Sequence, residues 1–88
     1  METIKVKAKD PNGENAVYIT LGNYTVTFIA DVYDKLNHMV KKKFIVTGVG
    51  ADGDYLDPYY YARKYVEYLY SGYLFNTVLI SVQNDDVE

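Results

Sequence analysis

Residues 57–72 read DPYYYARKYVEYLYSG, and this stretch carries the signals for both ends of one helix. Asp57 is a residue type that caps helix N-termini, and Pro58 suits the first helical position because the N–H that it lacks has no helical partner there. Gly72 can adopt the left-handed conformation that often closes a helix. Apolar side chains recur between these ends at three- and four-residue spacing, which predicts a buried stripe. The stripe consists of Tyr59, Ala62, Val66, Leu69 and Tyr73.

A second row of tyrosines runs beside this stripe and consists of Tyr61, Tyr65 and Tyr68. Tyrosine is enriched at protein contacts because it buries a large area with few rotatable bonds. We therefore expect this second row to face a protein partner while the first row packs on a sheet. Two alternatives without a partner fit the same residues. The rings can cover a shallow core with their hydroxyl groups in water, and an AT-rich genome can supply many of the 11 tyrosines without selection for function.

The N-terminal third of the chain has the alternation of an antiparallel sheet. Residues 3–9 alternate apolar and polar side chains, as a half-buried strand does. Residues 16–21 and 24–29 form two further predicted strands, and the Gly-Asn pair between them suits a two-residue hairpin turn. Pairing the residues on either side of this turn brings the apolar side chains of all three strands to one face. The sequence therefore predicts a three-stranded antiparallel meander.

The rest of the chain predicts two helices and two strands. Residues 31–42 have apolar residues at helical spacing, with acids in the first turn and lysines near the last, as the helix dipole favours. Residues 44–49 form a continuous apolar run, typical of an inner strand. Residues 77–83 alternate as a last strand, and we expect its inward side chains to be Val78, Ile80 and Val82.

The predicted order of elements is βββαβαβ in one α+β domain that comprises residues 1–88. Right-handed strand–helix–strand crossovers would place both helices on one face of a mixed five-stranded sheet and leave the other face uncovered. Residues 84–88 are acidic and predict a frayed tail.

Composition excludes several kinds of chemistry. The chain has no cysteine, which rules out disulfides, thiolate zinc sites and cysteine nucleophiles. His38 is the single histidine, so a catalytic triad and a site with several histidine ligands are excluded as well. We therefore expect no catalytic residue, no cofactor and no enzymatic activity.

The loop TGVGADG, residues 47–53, contains glycines in the GxGxxG spacing of dinucleotide-binding folds. Its context differs, because the next helix begins only at residue 57 and the acids of the loop would repel phosphate groups. The same acids could in principle hold a hard cation, but their spacing is not that of a calcium-binding loop. They are Asp52, Asp54 and Asp57. We predict neither a dinucleotide site nor a metal site here.

Charge is distributed unevenly along the chain. Residues 1–50 hold seven lysines and five acids, whereas residues 51–88 hold two basic residues and seven acids. The uncovered face of the predicted meander would carry Lys5, Lys7, Lys9 and Tyr18. Basic residues around an aromatic side chain can bind single-stranded nucleic acid by phosphate contact and base stacking. Nucleic-acid binding at these four residues is the alternative function.

The main prediction is a non-enzymatic protein-binding module of the adaptor or inhibitor type. Its partner would be another protein, or a second copy in a homodimer, contacted through the second tyrosine row. The small size and the lack of catalytic chemistry fit an accessory protein of a phage or mobile element that acts on a host protein. The N-terminus has no signal-like apolar run, and no segment reaches the ~20 apolar residues of a membrane span. The sequence therefore predicts a cytoplasmic protein without membrane contact.

Overall fold

A computed structural model of the protein describes residues 1–9 and 19–86. Its elements are β1 (Glu2–Lys7), β2 (Leu21–Tyr33), β3 (Met39–Val49), α1 (Asp57–Tyr70) and β4 (Phe75–Asn84). The class is α+β with a mixed sheet, as predicted. The described residues form four strands and one helix, however, and not five strands and two helices.

The strands lie in the order β1-β3-β2-β4 across the sheet. β2 and β3 form an antiparallel hairpin, β1 pairs in parallel with β3, and β4 pairs antiparallel with β2. Three strands therefore run in one direction, and only β2 runs against them. α1 connects β3 to β4 across one face of the sheet.

The core lies between α1 and this face of the sheet. Alternate residues of β2 and β3 point into it, because successive side chains of a strand lie on opposite faces. Phe28 and Phe44 are fully buried with their ring centroids 5.4 Å apart, and Phe28 also meets the ring of Tyr59 at 5.7 Å. The buried side chains of α1 are Pro58, Ala62, Tyr65 and Val66. The described residues place no second layer on the opposite face, which is called the uncovered face below.

Residues 31–42 do not form the predicted helix. They contain the end of β2, a tight turn and the start of β3. Asp34 organises the turn, since its carboxylate accepts hydrogen bonds from the N–H of Leu36 at 2.9 Å and of His38 at 2.8 Å. Asn37 takes a positive φ of 61°, which asparagine tolerates better than most residues. The apolar spacing that matched a helix also matches two strands, and pairing with neighbouring strands decides between them.

The predicted meander is wrong in its pairing. Residues 22 and 23, expected in a hairpin turn, lie within β2, where Leu21 and Tyr24 both pair with Val49 at an irregularity of the ladder. β1 pairs in parallel with β3 and does not adjoin β2. Of the predicted strand 16–21, the first three residues lie outside the described part of the chain. The inner strand predicted at 44–49 is confirmed as part of β3.

The helix predicted from residue 57 is present as α1, with Pro58 in its first turn. Its two ends differ from the prediction. Leu56 occupies the N-cap position without a side-chain cap, and the carboxylate of Asp54 accepts a hydrogen bond from the N–H of Leu56 at 2.9 Å. At the other end, Ser71 adopts the left-handed conformation that was predicted for Gly72.

β4 confirms the last strand, and Val82 packs against the core as predicted, but the other two side chains predicted to point inward do not. Val78 is 57% exposed and Ile80 is 49% exposed, where the register of β4 against β2 shifts twice. The turn after β4 was predicted as part of a frayed tail. It is held to β2 by Asp85, whose carboxylate accepts a hydrogen bond from the hydroxyl of Thr25 at 2.5 Å. Residues 87–88 lie outside the described part of the chain.

The turn between β2 and β3 predicts a pH dependence of stability. The pKa of Asp34 lies below its usual value because the N–H of His38 donates to the carboxylate, an effect that desolvation opposes and the N–H of Leu36 reinforces. A lowered pKa contributes stability above the unfolded value of about 3.9 and loses it as the pH falls through the folded value. In urea unfolding, Asp34→Ala should therefore be less stable than the unmodified protein near neutral pH, and the difference should shrink below about pH 4. A difference that stayed constant into acid would contradict a role for this charge.

Candidate functional site

α1 does not present the three predicted tyrosines as one exposed row. Tyr65 is 7% exposed and belongs to the core, whereas Tyr68 is 44% exposed. Their rings stack with centroids 6.3 Å apart, so Tyr68 rests against the outer side of a core residue. Tyr61 is half-buried and donates its hydroxyl hydrogen to Asp52 at 2.7 Å. Of the predicted row, Tyr68 is the exposed member.

The orientation of α1 on the sheet explains this difference. Its buried face is centred on Ala62 and Val66, with Tyr65 beside them. Leu69 belonged to the predicted buried stripe but is 44% exposed, and Tyr73 lies beyond the end of the helix with its ring in solvent. The spacing of apolar residues fixes the rows of a helix, but neighbouring rows compete for the sheet when both are apolar.

An acidic cluster lies at the N-terminal end of α1. The pKa of Asp57 is raised because the carboxyl is desolvated and lies near Asp54 and Asp52. The pKa of Tyr61 is raised as well: a hydrogen bond with Thr20 lowers it, but the bond to Asp52, burial and the nearby acids outweigh that effect. The described residues contain no group of three or more His, Cys, Asp or Glu side chains that could hold a metal ion.

The glycines of the 47–53 loop have structural roles. Gly48 adopts a φ of +77°, a conformation that side chains other than glycine rarely take. At Gly50, an added Cβ would lie 2.5 Å from the carbonyl oxygen of Leu21, because the two backbones approach closely there. Backbone geometry therefore accounts for both glycines without a bound phosphate.

An open groove of about 650 Å³ lies between the C-terminal turn of α1 and the turn that joins β2 to β3. A smaller depression continues from it past Ser71 and Gly72. Large apolar and aromatic side chains line the two together, and we call this group the aromatic end. It consists of Tyr33, Leu36, Leu69, Tyr70 and Tyr73. All of them except the half-buried Tyr70 are exposed.

Lys42 lies in the wall of this groove and is held in place from two sides. Its ammonium group forms a salt bridge with Glu2 at 3.0 Å and lies 5.7 Å from the centroid of the Tyr70 ring. The bond to Glu2 is the main reason that the pKa of Lys42 is raised. Desolvation lowers this pKa, and the contact with Tyr70 raises it further. Lys35 contributes a second positive charge to the lining. Asp34 adds a carboxylate, so the groove combines apolar walls with charges of both signs.

The uncovered face of the sheet carries the lysines of the predicted nucleic-acid site. Lys5 and Lys7 are exposed on β1, and Lys9 is exposed just after it. Tyr18, the predicted stacking residue, lies outside the described part of the chain. The structure thus places three of the four predicted residues and leaves the aromatic one undescribed.

The register of the sheet adds two lysines that sequence reasoning missed. Lys41 and Lys43 alternate with the buried Phe44 along β3 and so lie on the uncovered face. Lys41 was predicted within a helix that ends at residue 42, and Lys43 directly after it. The alternation of β3 from residue 39 onward was the signal that could have placed them with Lys5 and Lys7.

The helix in the described residues is not long and apolar enough to span a membrane. No protein-family model, curated protein or solved structure matches this chain. We therefore infer the function from the surfaces of the fold.

Proposed function

We propose that the protein is a non-enzymatic protein-binding module whose contact surface is the aromatic end, with Tyr68 at its border. The observation that supports this proposal is the grouping of four exposed side chains around the groove and the depression that continues from it. They are Tyr33, Leu36, Leu69 and Tyr73. Single exposed apolar side chains are ordinary on a protein surface, whereas a contiguous group with a polar rim is typical of an interaction site. Tyr68 lines a neighbouring depression together with Tyr73.

The chemistry of the groove defines the kind of partner segment that it would take. Its apolar walls suit one or two large apolar side chains, which are the usual anchors of a protein interface. Lys35, which is in no salt bridge within the described residues, favours an acidic residue next to these anchors, because complementary charge orients an encounter. The partner is another protein or a second copy of the chain. An accessory protein of a phage or mobile element that acts on a host protein would use a surface of this kind.

Self-association is tested first, by sedimentation of the purified protein over a range of concentrations. Leu69→Asp places a charge in the groove at an already exposed position, so we expect it to change the free energy of unfolding by about 1 kcal/mol or less. If the aromatic end joins two copies, the unmodified protein dimerises and Leu69→Asp weakens the dimer by about tenfold or more. If the protein stays monomeric, the partner is a different chain.

A different partner is tested by placing a photo-reactive amino acid at position 69 or, as a control, at position 55, in cells that contain the natural partner. Tyr55 is also exposed, but it lies at the other end of α1. We expect a discrete protein adduct from position 69 and none from position 55, and excess unmodified protein should compete for it while Leu69→Asp should not. Equal adducts from both positions, or competition by the variant, would exclude the aromatic end as the contact surface.

A further inference from the structure

Four lysines form a line on the uncovered face of the sheet. Lys41 and Lys43 follow each other on β3, while Lys5 pairs with Ile45 and Lys7 pairs with Thr47, the next two residues of β3 on that face. The line therefore passes from β3 to β1 at its middle and advances two residues at each step. Two residues of a strand span roughly 6.6 Å, so the four side chains extend over roughly 20 Å.

Three of the four lysines form no salt bridge within the described residues. Asp31 forms a salt bridge with Lys41 at 3.2 Å, and a hydrogen bond from Asn76 and the contact with Lys41 lower its pKa. Salt bridges within the described residues do not include Lys5, Lys7 or Lys43. The protein has a net charge of −3, so this line is a local basic feature of an acidic protein.

The rest of the uncovered face has few charges. Thr27 lies beside the lysine line on β2, where it pairs with Ile45. Its hydroxyl can donate a hydrogen bond to a phosphate or sugar oxygen. At the Lys41 end of the line, Tyr33 and Phe75 form an edge-to-face pair with centroids 5.9 Å apart, and both rings are partly exposed.

We propose that the uncovered face binds single-stranded nucleic acid, with the phosphates along Lys43, Lys5 and Lys7 and one base stacked on Tyr33. A line of evenly spaced ammonium groups is complementary to a linear polyanion, and an exposed aromatic ring at its end accepts an unpaired base. Lys9 follows Lys7 and extends the basic region. This activity is separate from protein binding at the aromatic end, although Tyr33 borders both surfaces.

The test is fluorescence anisotropy with a labelled oligothymidylate of about 10 nucleotides, a length within the usual site size of small binding folds. Three or four phosphate contacts predict that affinity falls by about 20- to 50-fold between 50 and 200 mM salt, since each contact to a single strand adds about 0.7 to the logarithmic slope. The double variant Lys5→Glu with Lys7→Glu should bind about tenfold or more weakly at low salt. Tyr33→Ala should weaken binding by about fivefold or more through the loss of stacking.

The matched control is Lys64→Glu, compared with the single variant Lys7→Glu, because each changes the net charge equally and Lys64 lies on α1, away from the line. We expect this control to retain binding within about threefold, because distant exposed charges are screened by salt. Circular dichroism checks that each variant is folded. If Lys5→Glu with Lys7→Glu does not fold, Lys5→Gln with Lys7→Gln is used in its place. Absence of binding at 50 mM salt, equal losses in Lys7→Glu and Lys64→Glu, or affinity independent of salt would overturn the proposal. Tighter binding of a labelled polyglutamate peptide than of the oligonucleotide would overturn it as well and would indicate an acidic protein segment.

Discussion

Replacing Tyr65 with alanine should lower the free energy of unfolding by about 3–5 kcal/mol, the range found when buried aromatic side chains are truncated. Tyr65 is 7% exposed and packs with Ala62 and Val66 in the face of α1 that covers the sheet. A chain of 88 residues has a total stability of about 4–13 kcal/mol, so this single change removes a large part of it. Urea unfolding monitored by circular dichroism measures the loss.

Tyr68→Ala is the matched control, because it truncates the same residue type three positions later in the same helix. Tyr68 is exposed and loses only its stacking contact with Tyr65, so we expect a change of about 1 kcal/mol or less. If Tyr68 borders the contact surface, its loss should weaken partner binding while stability is retained. Equal destabilisation by the two variants would contradict the orientation of α1 on the sheet.

Phe28→Ala should have a comparable or larger effect on stability, about 3–5 kcal/mol. The Phe28 side chain is fully buried at the centre of the sheet and contacts two other aromatic rings, those of Phe44 at 5.4 Å and Tyr59 at 5.7 Å. Its removal therefore leaves a cavity between the sheet and α1. The rings of Phe44 and Tyr59 also lose their contacts with Phe28. We expect the thermal unfolding midpoint to fall by more than ~10 °C, since 1 kcal/mol corresponds to about 4–8 °C in a domain of this size.

Ile29→Ala is the control on the same strand. Ile29 follows Phe28 directly but lies on the uncovered face, where it is half-buried next to Lys43 and Val78. Its truncation should destabilise the protein by about 1 kcal/mol, because the side chain already contacts solvent and leaves no closed cavity. A larger loss from Ile29→Ala than from Phe28→Ala would show that the core lies on the other face of the sheet.

Local signals in the sequence predicted the elements whose terminal residues or side-chain periodicity are visible along the chain itself. The stretch from Asp57 contains a proline in the first turn and strong helical spacing, and α1 formed where these signals placed it. The apolar run at 44–49 and the alternation at 77–83 predicted parts of β3 and β4 for the same reason. The absence of cysteine and the single histidine limited the available chemistry without any structure.

The turn at Asp34 shows where local signals were ambiguous. Val32, Leu36 and Val40 are four residues apart, as on a helix, yet Val32 and Val40 pair directly across the hairpin. The hydrogen bonds of the Asp34 carboxylate and the positive φ of Asn37 close the turn between them. Asp34 and Asn37 are of residue types that are common in turns, and this signal in the sequence favours the hairpin.

Tertiary structure decided which further residues join the candidate sites. The pairing of β1 with β3 joins residues about forty positions apart, and it brings Lys5 and Lys7 into line with Lys41 and Lys43. The orientation of α1 buried Tyr65 and exposed Leu69, because the sheet accepts one of two neighbouring apolar rows. Spacing along a chain records which residues share a face of their own element. The face that becomes covered depends on packing partners that are distant in sequence. These partners come together only when the helix packs on the sheet.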